Sequence, residues 1–334
     1  MPQFRQLLLG AAAALAMAHS ATAATTFNYT GAINAWIAPT TGVYQIMAWG
    51  AQGGSYGDSV SPVTAGGHGA EVGGDVFLTA GATLLIVVGG TPTRGGGNIG
   101  DGGGGGTWVF TLGAGPGGTL TDIPLAIAGG GGGAGYGGFF YQGIAFAGHD
   151  GQITMGTGLG GVSGDLPCCQ GGGGGGWLGN GQDGDTVGNI FVSGHRPYGT
   201  GGIGLPSFTG GATVGCYGPE SFSCFDYYPT GGFGGGGGAG WNYGGGGGGY
   251  TGGDSGNRAA DFGGFGGSSY LDAGFTNVVK GAGIRSGNGL VTISDVLRGG
   301  PVPELATWVT MLAGFFTTGA ALRRRRRWAS AGAV

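Results

Sequence analysis

The chain has 334 residues, of which 94 are glycine and only 8% are charged. No Gly-X-Y repeat with abundant proline accompanies the glycine, which excludes a collagen triple helix. Residues 24–300 hold six basic and fifteen acidic side chains, a balance of −9, and an acidic body without basic stripes argues against nucleic-acid binding.

Residues 1–23 read as a secretory signal peptide. Arg5 supplies the positive start, 7–18 form an apolar run too short to span a bilayer, and Ala21-Thr22-Ala23 fits the small-x-small rule, with cleavage before Ala24. A buried N-terminal helix is the competing reading.

The body, 24–297, reads as all-β. Val43 to Trp49 alternates in the two-residue period of a half-buried strand. Val72 to Leu78 and Thr83 to Val88 are rich in β-branched residues, with a turn at Ala80-Gly81 between them. Thr107–Phe110, Leu125–Ala128 and Leu290–Ser294 are further strand candidates. No stretch of the body keeps a helical period.

Five unbroken glycine runs separate these segments, at 102–106, 129–133, 171–176, 234–238 and 244–249. Flexible linkers are the default for such sequence. Serine is sparse around the runs, however, and aromatics bracket them: Trp108, Tyr136, Trp177, Phe233, Trp241, Tyr243 and Tyr250. The ordered alternative is a bundle of extended left-handed three-fold helices, bonded sideways because no Cβ holds the chains apart. Fixing each glycine backbone costs about 1–2 kcal/mol, against a net gain near 1 kcal/mol per hydrogen bond. Such runs are therefore expected to order only when packed together against strands and aromatics.

The body also resembles a known family. Trp49-Gly50-Ala51-Gln52-Gly53-Gly54, the stretch 102–110, Pro124-Leu125-Ala126-Ile127-Ala128 with its following glycines, 171–177, and Gly231-Gly232-Phe233-Gly234 through Tyr250 occur in an order similar to the glycine-rich extracellular domain of the anaplastic lymphoma kinase and leukocyte tyrosine kinase receptors. The likeness runs from about Trp36 to Ser294. It implies a tumour-necrosis-factor-like β-sandwich, a jelly roll, with an inserted polyglycine II helix bundle. It implies no kinase activity. Asp261-Phe262-Gly263 spells a kinase metal-binding triplet, but the surrounding kinase signatures are missing and too little chain follows.

Signs of chemistry are thin. Gly253-Asp254-Ser255-Gly256 resembles a serine-protease loop, yet His68, His149 and His195 stand in no fixed relation to it, and a tight turn is the expectation. Asn180, Asp183 and Asp185 offer oxygen ligands for calcium but fit no standard loop, so solvated turn carboxylates are expected. The expectation is a protein that is not an enzyme, with no catalytic residue, metal or cofactor. Four cysteines in an exported chain suggest disulfides. Cys216 and Cys224 bracket a short loop and are a candidate pair, with cross-loop pairing to Cys168 and Cys169 as the main alternative.

The C-terminal end reads as a second address. Residues 305–322 carry no charge and, as a helix, would reach about 27 Å, barely the hydrocarbon thickness. Arg323, Arg324, Arg325, Arg326 and Arg327 follow at once and would stay cytoplasmic, leaving the body outside. Val302-Pro303-Glu304, then Ala306-Thr307-Trp308, the apolar stretch and the arginines resemble a PEP-CTERM sorting domain. That motif is Val-Pro-Glu-Pro, and Leu305 stands here in place of its second proline. The resemblance implies processing by an exosortase in bacteria that make exopolysaccharide. The organisation expected is a signal peptide (1–23), the body (24–297), a linker with the sorting motif (298–304), a transmembrane helix with its arginine cluster (305–327) and a cytoplasmic tail (328–334).

Together these features lead to an exported, non-enzymatic protein of the cell surface or extracellular matrix, anchored in the inner membrane before processing. Its role would be structural or adhesive, with exposed aromatics at the ends of the glycine bundle meeting a glycan or protein. A dedicated ligand-binding module is the alternative.

Overall fold

Alternating side chains sort the strands into two layers. The computed structural model describes residues 24–57, 64–93, 100–114, 120–136, 144–164, 170–184, 198–214, 230–257 and 261–296. Among them are fourteen strands and no helix: β1 (Thr25–Asn28), β2 (Ile33–Ile37), β3 (Gly42–Trp49), β4 (Gly69–Leu78), β5 (Thr83–Val87), β6 (Thr107–Ala114), β7 (Leu120–Ala128), β8 (Gly135–Tyr136), β9 (Ala145–Phe146), β10 (Tyr198–Gly199), β11 (Thr213–Val214), β12 (Tyr270–Leu271), β13 (Thr276–Arg285) and β14 (Leu290–Asp295). Ala24–Ser294 make up one unit. The chain is all-β, as its pattern predicts. The expected transmembrane helix lies outside the described residues, none of which forms a helix long and apolar enough to cross a membrane.

One five-stranded sheet has the order β1-β14-β3-β4-β13 and the other β12-β7-β6-β5-β2. Tyr44, Ile46, Val72, Ile86, Val109 and Ile293, drawn from both sheets, belong to one buried cluster. Each fully buried aliphatic side chain there contributes about 1.5–3 kcal/mol. Tyr44 crosses Trp36 edge-on at 5.4 Å, and its hydroxyl donates to the Thr40 carbonyl at 2.8 Å, so its polar end is satisfied. The turn at Ala80-Gly81 forms, with Gly81 at φ +84°, but it leads from one sheet to the other.

The centre of the second sheet is buried on both faces. Leu84, Ile86, Val109 and Ala126 face the shared core, while Val87, Trp108, Phe110 and Ile127 belong to a second cluster with Phe208, Trp177, Phe233 and Tyr250. Two-sided burial explains why Thr83–Val87 and Thr107–Phe110 read as nearly unbroken apolar runs. Phe208, Trp177, Phe233 and Tyr250 come from the glycine-rich segments, which cover this outer face.

All five glycine runs are buried. Their hydrogen bonds run sideways with a period of three. Gly245 and Gly248 donate to the carbonyls of Asp101 and Gly104, Gly246 and Gly249 to Gly172 and Gly175, and Gly244 and Gly247 to Phe262 and Phe265, at 2.8–3.2 Å. In return, Gly133 and Gly130 donate to Gly245 and Gly248, Gly256 and Gly253 to Gly244 and Gly247, and Gly237 to Gly246. The run 244–249 thus sits among six neighbouring segments, three accepting from it and three donating to it. Side chains cannot enter this array: a Cβ on Gly247 would collide with the Gly130 carbonyl, and one on Gly131 with the Gly67 carbonyl.

β1 and β14 bring the ends of the unit together. Thr25 pairs with Ile293 and Asn28 with Leu290, antiparallel, so the chain enters and leaves at one place on one sheet.

Candidate functional site

Of the seven bracketing aromatics, the structure buries Trp108 and Tyr243 and leaves the other five half-buried. Trp108 is fully buried and lies near Trp177 at 6.1 Å and Phe208 at 5.2 Å, with its indole N–H on the Gly234 carbonyl at 3.3 Å. Tyr243 stacks on Phe262 at 4.8 Å, Phe262 on Phe146 at 4.9 Å, and Tyr56 on Tyr136 at 4.7 Å. A glycine array offers no side chains of its own, so Trp177, Phe233 and Tyr250 pack it against the sheet. Tyr136, Trp177, Phe233, Trp241 and Tyr250 keep partial exposure.

Most of the large apolar groups that face solvent are aliphatic, and the sequence does not single them out. Met155, Leu159, Val162 and Leu178 are exposed, Leu178 to 66%. Gly158, at φ +84°, gathers part of this ridge. Its N–H donates to Thr251 Oγ1 at 2.8 Å and its carbonyl accepts from Leu178 N at 2.7 Å. Leu178 and Tyr250 both border the space a Gly158 side chain would fill. Beyond Tyr250, the Tyr270 ring stacks at 4.7 Å, and Tyr270 Oη lies 3.5 Å from Asp272 Oδ2. Burial, then the charge of Asp272, then Tyr250, push the Tyr270 hydroxyl above the ordinary tyrosine range. Leu178 thus forms a small hydrophobic shelf with the half-buried Tyr250–Tyr270 pair at its side. It has the makings of a contact surface for an apolar or ring-bearing partner.

Groups considered for chemistry are held by backbone. Gly253-Asp254-Ser255-Gly256 does not form the expected tight turn. It is extended chain within the glycine array, because Gly253 donates to Gly247, Ser255 to Val162 and Gly256 to Gly244. Ser255 is 1% exposed, and its Oγ accepts from Gly164 N and donates to Gly256 O. Asp254 Oδ1 accepts from Val162 N at 2.8 Å. Asp183 is exposed and accepts from Gly201 N at 2.8 Å, Asn180 is exposed nearby, and Asp185 lies outside the described residues. No three His, Cys, Asp or Glu residues converge as a metal site among the described residues.

His68 and His149 lie beside carboxylates, and His195 lies outside the described residues. His149 Nε2 lies 3.3 Å from Asp261 Oδ2, and its ring lies flat on Phe265 at 4.4 Å. His68 donates its backbone N–H to Asp150 Oδ1 at 2.7 Å. Asp261, the first residue of the kinase-like triplet, also accepts from Gly263 N at 3.1 Å. It serves as a local backbone cap.

The remaining sequence candidates lie outside the described residues: Ala21 and Ala23 at the expected cleavage site, Cys216 and Cys224, and Val302, Pro303, Glu304, Trp308 and Arg323–Arg327 of the sorting signal. Ala24 is described and immediately precedes β1. A scan against family models finds no match to this chain, and a search of curated proteins finds none either.

Proposed function

We propose that this chain is an exported bacterial surface or extracellular-matrix protein with a structural or adhesive role. Its body would be a tumour-necrosis-factor-like sandwich carrying a polyglycine II bundle, and its tail would be sorted by an exosortase. The observation that carries the export reading is the pairing of Thr25 with Ile293. The first strand of the body thus pairs with its last, which suits a signal peptide and an anchor that serve the same membrane face. The three-residue hydrogen-bond period and the burial of all five runs support the polyglycine II reading. A body so interlocked is a stiff unit, the property a matrix or spacer protein needs.

The test is cell fractionation of the full chain against a chain ending at Gly300, in a host with and without an exosortase. Export, membrane retention of the longer chain and its exosortase-dependent release are expected. A full-length chain found in the cytoplasm refutes the proposal.

A second reading, a dedicated module for a protein or glycan partner, is favoured by exposed Leu178 beside half-buried Tyr250, with Leu159 and Val162 exposed on the segment that Leu178 bonds. Saturable binding lost in Leu178→Asp would establish it over a passive matrix role.

A further inference from the structure

We propose that a second copy of this chain docks, about a two-fold axis, on the side of the molecule that carries β13 and the free half of β7. β4 lies across β7 and β12. β13, next beyond β4, and β12 therefore share one side of the two layers. β12 is two residues long and pairs only with Ile127 and Ala126, so the earlier half of β7 has β6 as its one strand neighbour among the described residues. β13 likewise pairs with β4 alone. Its residues Thr276 to Lys280 are all exposed, and Ile284 is exposed further on. Two strand edges thus lie on one side, β13 in regular register with β4 over Val279–Gly281, and such edges are templates for strand addition.

Charge selects the occupant. Lys280 and Arg285 are the only lysine and arginine among the described residues, and both lie on β13. The free half of β7 carries the opposite sign: Asp122 is exposed, beside exposed Ile123 and opposite exposed Leu112 of β6. β13 meeting its own copy would set Lys280 near Lys280, which like-charge repulsion disfavours. β13 meeting β7 of the other copy sets cation against anion and aliphatic against aliphatic. Each molecule holds both halves on the same side, so two such contacts form at once and the assembly closes as a dimer. The proposal does not rest on the export reading.

The test is sedimentation equilibrium of the full chain in detergent, with Lys280→Asp, Asp122→Lys and the double variant. Both positions are exposed, and circular dichroism checks that each variant folds. The wild type is expected to dimerise reversibly, each single variant to bind about tenfold more weakly or worse, and the charge-swapped double variant to recover most of the loss. The proposal is overturned by a monomeric wild type, by single variants that dimerise like wild type, by a double variant that stays weak, or by assemblies that grow without closing. An acidic peptide that binds at β13 of a chain that stays monomeric would overturn it too, and would make β13 a docking edge for other proteins.

Discussion

The N–H of Gly133 meets the carbonyl of Gly245 at 2.9 Å, and three residues earlier Gly130 meets Gly248 at 2.8 Å. Two antiparallel runs therefore touch once per three residues and turn their other backbone groups to other neighbours. Close approach on every side is the condition for this, and it requires a bare Cα.

Gly247→Ala tests the condition. The added methyl would collide with the Gly130 carbonyl and lie 2.9 Å from that of Gly131, both backbone in a buried run that has no free side to move into. A loss of about 1–3 kcal/mol or more is expected, which for a unit of this size lowers the melting temperature by about 2–4 °C per kcal/mol. Gly42→Ala is the control, because a Cβ there meets nothing within 4 Å; it should be neutral or stabilise by up to about 1 kcal/mol. Equal melting of the two variants would show that the runs are not packed as described.

Amide exchange reads the same array without mutation. The N–H groups of Gly244 to Gly249 are buried and all donate. They should exchange as slowly as those of β3 and β4, since opening them requires breaking contacts with several segments at once. Exchange at the rate of unstructured glycine in 244–249 would return these runs to the status of linkers.

The strands were legible where burial imposed a pattern. β3 alternates, and β5 and β6 are almost wholly apolar because both of their faces are covered. β13 escaped because it is an exposed edge. Lys280, Gly281 and Gly283 interrupt its apolar residues, and nothing buried enforces a period. The segment 253–256 was misjudged because turn composition and extended array composition are the same: glycine with small polar residues. The ridge was invisible for a related reason. Leu159, Val162 and Leu178 stand alone among glycines, and their exposure depends on which segment happens to lie at the outside of the array. The packing role of Trp177, Phe233 and Tyr250 was equally hidden, because the sequence does not show that a side-chain-free array has little else with which to grip a sheet.

That grip is the subject of a third test. Phe208 is fully buried, adopts φ +54°, and contacts both Trp108 and Phe110. Phe208→Ala should cost about 3–5 kcal/mol through the cavity it leaves. The loss should be uneven, with amides of 171–176 and 234–238 exchanging faster while β3 and β4 keep most of their protection. Uniform acceleration across both sheets would mean that the array and the sheets unfold as one unit.

The last prediction concerns alkaline pH. Tyr270 ionises less readily in the folded protein than a free tyrosine, chiefly through burial, then through Asp272 and Tyr250. The unfolded chain therefore loses this proton first, at about pH 10. Below that pH both states hold the proton and the contribution of Tyr270 to stability is fully present; as pH rises through the folded value, it is lost. Tyr270→Phe has no hydroxyl to ionise, so its stability should fall less steeply above about pH 10. Asp272→Asn removes a neighbouring negative charge and should bring the hydroxyl back toward the ordinary range. Ultraviolet titration of tyrosinate, wild type minus Tyr270→Phe, isolates the group. If the difference curve titrates in the ordinary tyrosine range and is unmoved by Asp272→Asn, the Tyr250–Tyr270 pair is open to water, and the shelf beside Leu178 is wetter than its packing implies.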